Sequence, residues 1–312
     1  MSILRKEWTR KACGEPGRIF SRSWVREEAP PKAVLVIAHG MAEHSARYDH
    51  FASFLAERGY AVYMNDHAGH GRSAQINGHF ADRNGWENVV NDLNALMDEA
   101  QKEHPGLPLF LMGHSMGSFL SRSFLIRYGE RLSGCILCGT MGQNPGVKPG
   151  KALAELQCKL RGPRSRGNFI DKLAFGAYNK RIKNPVNKFA WLSTDEENCK
   201  AYAADKMCGF AFTAAGYRDL FTGLLEVSSP QWASAVPKEL PIYLVAGTDD
   251  PVGNYGVGPR QVADALREAG VKNVELTLYL GMRHELLNET EKQKVYDDIL
   301  HWLETRKELA QK

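Results

Sequence analysis

The pentapeptide GHSMG at 113–117 sets a serine between two glycines, and two residues able to activate it follow downstream. A serine hydroxyl is a weak nucleophile near neutral pH. It attacks a carbonyl carbon only when a base takes its proton and a carboxylate orients that base. His284, in LYLGMRHELLNE, is the candidate base, and Asp250, in PIYLVAGTDDPV, the candidate carboxylate. Asp250 is preferred to Asp249 because it holds the acidic place in G-x-x-D-x-V between Gly247 and Val252, which leaves Asp249 as a turn residue. The order serine, acid, base is the one used where G-x-S-x-G marks a nucleophile elbow. Gly113 and Gly117 would give the chain room to turn sharply with Ser115 at the tip. Two donors are also needed for a tetrahedral oxyanion. The amide of Met116, opening a helix, supplies one candidate; that of Met41, after His39-Gly40, supplies the other, unless Met41 is an ordinary apolar loop residue.

These groups are far apart in sequence, so buried elements must bring them together. AVLVIAHG at 33–40, YAVYMND at 60–66, LPLFLMGHS at 107–115, LSGCILCGT at 132–140 and PIYLVAG at 241–247 are near-continuous apolar runs, the pattern of strands covered on both faces. NVELTLYLG at 273–281 adds another strand. Between them, Tyr48, Phe51, Phe54 and Leu55, then Trp86 to Ala100, then Phe119 to Phe124, recur at helical spacing, and helices through Val262 and Ile299 follow later. Two extended runs around Gly14-Glu15-Pro16-Gly17 predict a strand, turn, strand unit at the start. Strand and helix alternate, which predicts an α/β class chain: a mostly parallel sheet with helices on both faces.

After Thr140 the alternation stops for about 90 residues, a length that predicts an inserted helical lid. The expected organisation is 1–143 for the first part of the core, 144–235 for the lid and 236–312 for the rest of the core. Positions 148–188 hold eleven Lys or Arg against Glu155 and Asp171, a net +9; the whole chain carries +4, so the remainder carries −5. Such a field either draws in anionic ligands and lies weakly against anionic lipid, or is simply a solvated helical face.

Other chemistry is excluded residue by residue. HELLN at 284–288 ends in Asn288 where a zinc protease needs a second histidine. His67 and His70, in DHAGHGRS, have no carboxylate or cysteine cluster beside them in sequence, so a glycine-rich turn is expected there and no metal. No phosphate loop or nucleic-acid module is present. Cys135 and Cys138 form C-x-x-C inside an apolar strand run rather than at a helix start, which points to core filling. Six scattered cysteines, a charged N-terminal stretch and no apolar run of spanning length lead to the expectation of a cytoplasmic protein.

Taken together, HGMAEHSARY at 39–48, DHAGHGRS at 66–73, GHSMG, GTDDPV and GMRHE resemble the monoacylglycerol lipase and lysophospholipase branch of the α/β-hydrolase superfamily, and WLSTDEENCKAYAADKMCGFAFT at 191–213 is similar to the lid of its bacterial members. That resemblance implies the α/β-hydrolase fold, a lid over the site, no cofactor, and hydrolysis of a small acyl ester of glycerol or a related alcohol. It also implies that Glu43 and Arg47 line the alcohol side of the pocket; the alternative is a surface ion pair at i, i+4. Mammalian members have a second histidine three residues after the catalytic one, where this chain has Leu287. Rival readings are an aminopeptidase or thioesterase using the same triad, or a binding protein without turnover. An aminopeptidase would need a lid carboxylate for the substrate amine, for which Glu155, Asp195, Glu196 and Glu197 are candidates. The number of subunits is not legible.

Overall fold

The computed structural model describes residues 2–14, 17–229 and 231–310. The chain opens with β1 (Ile3–Lys11) and β2 (Arg18–Arg26), paired antiparallel in register from Ile3 opposite Arg26 to Lys11 opposite Arg18. The turn expected between them includes Glu15 and Pro16, which lie outside the described residues. Five strands with every position buried follow: β3 (Ala33–Ala38), β4 (Tyr60–Asn65), β5 (Leu109–His114), β6 (Gly134–Cys138) and β7 (Ile242–Gly247). With β8 (Val274–Tyr279) they form one eight-stranded sheet in the order β1-β2-β4-β3-β5-β6-β7-β8. All pairings from β4 to β8 are parallel; β2 joins β4 antiparallel.

Alternate side chains of these strands divide the core. Leu35, Ile37, Phe110, Met112 and Val245 pack beneath α1 (Asp49–Glu57) and α9 (Lys292–Ala310). Val34, Val36, Leu109, Leu111 and Leu244 pack beneath α2 (Gly85–Glu103), α3 (Met116–Tyr128) and α8 (Val257–Glu268). The period of two is why continuous apolar runs were needed: both faces are covered. Cys135 and Cys138 obey it too, lying in opposite halves of the core, so they fill space and do not face each other. The last strand is shorter than the apolar run at 273–281 because Leu280 is 90% exposed and Gly281 turns away with φ +76°. As an edge strand, β8 is only half-buried.

Between β6 and β7 the chain makes helices: α4 (Val147–Arg161), α5 (Asn168–Phe175), α6 (Glu196–Ala204) and α7 (Ala214–Val227). Thr213 caps α7 by accepting from the Gly216 amide at 3.1 Å, and Asp195 caps α6 by accepting from Glu197 and Asn198. Leu220 and Leu224 of α7 pack with Trp86, Val89, Phe119 and Leu120 of the core, so the segment sits on α2 and α3. Among the described residues no helix is long and apolar enough to cross a membrane.

Candidate active site

Parallel strands place their carboxyl ends along one edge, and the loops that leave β3, β5, β7 and β8 carry the chemistry-bearing residues. Ser115 follows β5 and precedes α3 with φ +53° and ψ −119°, a conformation that costs a non-glycine residue about 1–3 kcal/mol. The surrounding packing imposes it. A Cβ at Gly113 would lie 2.2 Å from the Gly117 carbonyl oxygen, and one at Gly117 would lie 2.0 Å from that of Ala38. The two glycines therefore let the turn close against β3, and the Ser115 amide donates to the Cys138 carbonyl at 2.9 Å.

His284 and Asp250, 34 residues apart in sequence, are joined: His284 Nδ1 donates to Asp250 Oδ2 across 2.9 Å. Asp250 is fully buried and His284 almost so. The Val252 amide holds the other oxygen of Asp250 at 2.8 Å, which fixes the carboxylate plane. Asp249 is exposed beside it and makes no contact with His284 among the described residues. The His284 ring is also packed by Trp191, centroids 5.2 Å apart, and by Gly139, where a Cβ would come within 3.1 Å of Cε1.

Ser115, His284, Met41, Met116 and Glu43 line one cavity of about 640 Å³, largely apolar, with Phe119, Phe175 and Leu224 in its walls. Met116 N–H is among the first amides of α3, which helix geometry leaves without an acceptor in the helix. Gly40, just before Met41, is held in place by its amide, which donates to Glu43 Oε1 at 2.6 Å.

Glu43 is a hub. Its Oε1 also accepts from Tyr48 OH at 2.8 Å and faces His114 Nδ1 at 3.2 Å, while Oε2 accepts from Arg47 at 2.7 Å. Arg47 in turn donates to both oxygens of Glu285, at 2.5 and 2.7 Å, and to Asn198 of α6 at 3.1 Å, with its guanidinium 4.7 Å from the Tyr202 ring centre. Burial opposes ionisation throughout, yet hydrogen bonds and charges outweigh it. Beside His114 and Arg47 the Glu43 carboxyl stays well below its ordinary pKa, and beside Glu43 the His114 imidazole rises above its own. Glu285 is held down by Arg47 in the same way. The Glu43–Arg47 pair is thus real but not on the surface: the two side chains are 3% and 10% exposed. Glu43 reaches the cavity wall with both oxygens engaged by protein; Arg47 is not in the cavity lining. Glu285 is there, a residue the sequence does not single out, because it stands next to the candidate base His284 in a motif that draws attention to the histidine alone.

None of Glu155, Asp195, Glu196 and Glu197 lines the cavity. Glu155 pairs with Lys151, Glu197 with Lys200, and Asp195 is spent on its helix cap. His67 and His70 pack with His39 in a buried aromatic group, ring centres 4.0 to 6.2 Å apart. Burial lowers the pKa of all three, His39 to about 3 and His70 to about 4. The residues whose ligand atoms could share a cation are others: His44, Asp205 and Cys208, all within 4.8 Å of one another. His44 Nε2 already bonds Asp205 Oδ2 at 2.9 Å there, and no spacing in the sequence announces the trio. All six cysteines are free thiols.

A family model described as serine aminopeptidase, S33, matches residues 29–291. The chain is 32% identical to the monoacylglycerol lipase of Mycolicibacterium smegmatis over 92% of each chain. It is 28% identical to the monoglyceride lipase of Homo sapiens, over 92% of this chain and 87% of that one. Among solved structures, a highly thermostable carboxyl esterase from Bacillus coagulans in complex with glycerol superposes with a TM-score of 0.92, covering 98% of this chain and 100% of that one at 27% identity.

Proposed function

We propose that this chain, which belongs to the serine aminopeptidase S33 family of α/β hydrolases, hydrolyses a carboxylic ester of the monoacylglycerol or lysophospholipid type through an acyl-enzyme on Ser115. That it is a carboxylic ester hydrolase follows from its family and its monoacylglycerol lipase relatives. The observation that carries the finer reading is the 2.9 Å bond from His284 Nδ1 to buried Asp250, in the wall of the cavity that also contains Ser115.

With Nδ1 committed to Asp250, Nε2 of His284 is the nitrogen left to take the Ser115 proton. The Oγ attacks the ester carbonyl, and the amides of Met41 and Met116 receive the oxyanion. His284 returns its proton to the leaving alcohol, then removes one from the water that cleaves the acyl-enzyme; Asp250 stabilises the imidazolium in both half-reactions. No step calls for a cofactor. Residues 144–235 act as the lid, whose apolar wall side chains hold the acyl chain. Glu43 and Arg47 serve the alcohol side by shaping it, since both are engaged with protein partners.

An ester is favoured over an N-terminal peptide because none of Glu155, Asp195, Glu196 and Glu197 faces the cavity, while the carboxylates that do are engaged by protein groups, Asp171 by the Tyr217 hydroxyl and Glu43 and Glu285 by Arg47. A panel of nitrophenyl esters, monoacylglycerols, lysophospholipids and proline amides tests this. The expected order is long-chain glycerol and lysolipid esters above short esters, with amides inert; amide turnover above ester turnover would replace the reading with a peptidase.

A further inference from the structure

The loop after β3 and the turn that ends α6 meet beside the cavity, the first bringing His44 and the second Asp205 and Cys208. Among the described residues, these three each offer one ligand atom, and the atoms lie within 4.8 Å of one another. Asp205 and Cys208 project from a single turn: the Cys208 amide donates to the Asp205 carbonyl at 3.0 Å, and the Met207 amide to Asp205 Oδ1 at 2.8 Å. Asp205 Oδ2 is left to meet His44 Nε2, at 2.9 Å. The spacing D-x-x-C thus does for a carboxylate and a thiol what C-x-x-C does for two thiols in zinc sites. The two segments are also fixed on each other. The Ala42 carbonyl, two residues before His44, accepts from Tyr202 OH at 2.7 Å and from the Gly209 amide at 2.9 Å. Ala42 has φ +53°, a left-handed conformation that a non-glycine residue keeps only where its surroundings impose it.

Donor chemistry selects the ion. One thiolate, one imidazole and one carboxylate suit zinc, whereas calcium and magnesium take oxygen ligands. Tetrahedral zinc sets such atoms about 3.3–3.6 Å apart, within reach of small side-chain rotations from the present arrangement. His44 and Cys208 are buried, at 4% and 8% exposure, while the Asp205 side chain is 32% exposed, so an ion enters past Asp205 and keeps a water as its fourth ligand. Burial pushes the Cys208 thiol above its ordinary pKa, and Asp205, Glu43 and Glu285 add to this while Arg47 opposes it. A divalent cation therefore meets more carboxylate than cation there. We propose that His44, Asp205 and Cys208 bind a zinc ion that clamps residues 202–209 onto the loop carrying Met41. On binding, the Cys208 S–H bond breaks, its proton leaves to solvent and the sulfur electron pair forms the bond to zinc; nothing is oxidised. Tyr202 and Gly209 line the cavity, so the filled site holds that wall against the loop and slows exchange of substrate and product. The slowing rests on the ester-hydrolase reading; the binding does not.

The test is titration of the full-length, metal-stripped chain with cobalt(II) and then zinc. Cobalt is expected to give a thiolate charge-transfer band that saturates at one ion per chain, and zinc to displace it with a Kd of about 1 µM. Cys208→Ser should abolish the band and weaken zinc binding more than about 100-fold; Asp205→Asn, which keeps a hydrogen-bonding partner for His44, should weaken it at least about tenfold. Cys13→Ser with Cys158→Ser, which removes the two half-buried thiols elsewhere, should leave the band intact. Saturating zinc should lower kcat on nitrophenyl acetate about tenfold in the parent chain. In Cys208→Ser, zinc should have no such effect, and kcat without metal should stay within about twofold of the parent, since Cys208 does not line the cavity. Absence of the band, a band that survives Cys208→Ser, or zinc affinity unchanged in both ligand variants would overturn the site. Binding at the three residues with kcat unchanged would overturn the clamp. A parent chain that gives the band but hydrolyses no ester would sink the ester reading and uphold the zinc site.

Discussion

His114, the residue before the candidate nucleophile, donates through Nε2 to the main-chain carbonyl of His284 at 3.2 Å, while its Nδ1 faces Glu43 at 3.2 Å. One side chain thus links the turn at Ser115, the loop that carries His284 and the loop that carries Met41 and Glu43. Removing it should leave the reacting groups present but misplaced. His114→Leu is expected to lower kcat about 10- to 100-fold on a soluble nitrophenyl ester, with KM changing far less. Unchanged kcat would show that the link positions nothing.

Arg47 bridges two buried carboxylates, so its loss should be felt in stability before chemistry. Arg47→Met leaves Glu43 and Glu285 buried without their shared cation and is expected to cost about 3–5 kcal/mol in urea unfolding. Arg47→Lys keeps the charge but not the fork that grips both Glu285 oxygens, and should fall between the two. A midpoint unchanged in Arg47→Met would mean water reaches the pair.

Acid should unfold the protein from its histidine cluster. His39, His67 and His70 have pKa values below that of the unfolded chain, so the unfolded state binds more protons as pH drops below about 6.5. Each contributes a loss of about 1.4 kcal/mol per pH unit from there down to its own folded value. The Glu43–His114 pair does not offset this. The raised His114 contribution is complete below about 6.5 and is lost only as pH rises through its folded pKa, while Glu43, lowered, loses its contribution as pH falls below its ordinary range. Urea unfolding at pH 7, 6 and 5 should show stability falling with an uptake of more than one proton; a flat profile would mean the cluster is protonated in the folded state.

Gly117→Ala should be much worse than its single methyl suggests. The new Cβ would lie 2.0 Å from the Ala38 carbonyl oxygen, and backbone on both sides must move. A loss of about 1–3 kcal/mol or more in thermal unfolding is expected, together with loss of turnover. Activity near that of the parent would show that the elbow has slack.

The central strands were legible because a strand covered on both faces cannot hide its pattern: AVLVIA and LFLMGH are fully buried where the apolar runs stand. The positions of the candidate residues Ser115, Asp250 and His284 at one edge of the sheet were legible for a related reason, since each sits just past such a run. The direction of β2 was not, because antiparallel and parallel neighbours share the same alternation. Nor was the Arg47–Glu285 contact, which joins residues 238 apart through loops whose paths no local pattern encodes. Glu43 and Arg47 do meet at i, i+4, but their burial came from what α6 and the loop of Glu285 lay over them.

The central claim is that Ser115, activated by His284 and Asp250, forms a covalent bond to the acyl group. Intact mass after brief exposure to a fluorophosphonate measures this directly, since only an activated serine reacts. The parent chain should gain one adduct, mapped to Ser115, Ser115→Ala none, and Asp250→Asn should react orders of magnitude more slowly. An adduct on another residue, or ester hydrolysis undiminished in Ser115→Ala, would contradict the mechanism.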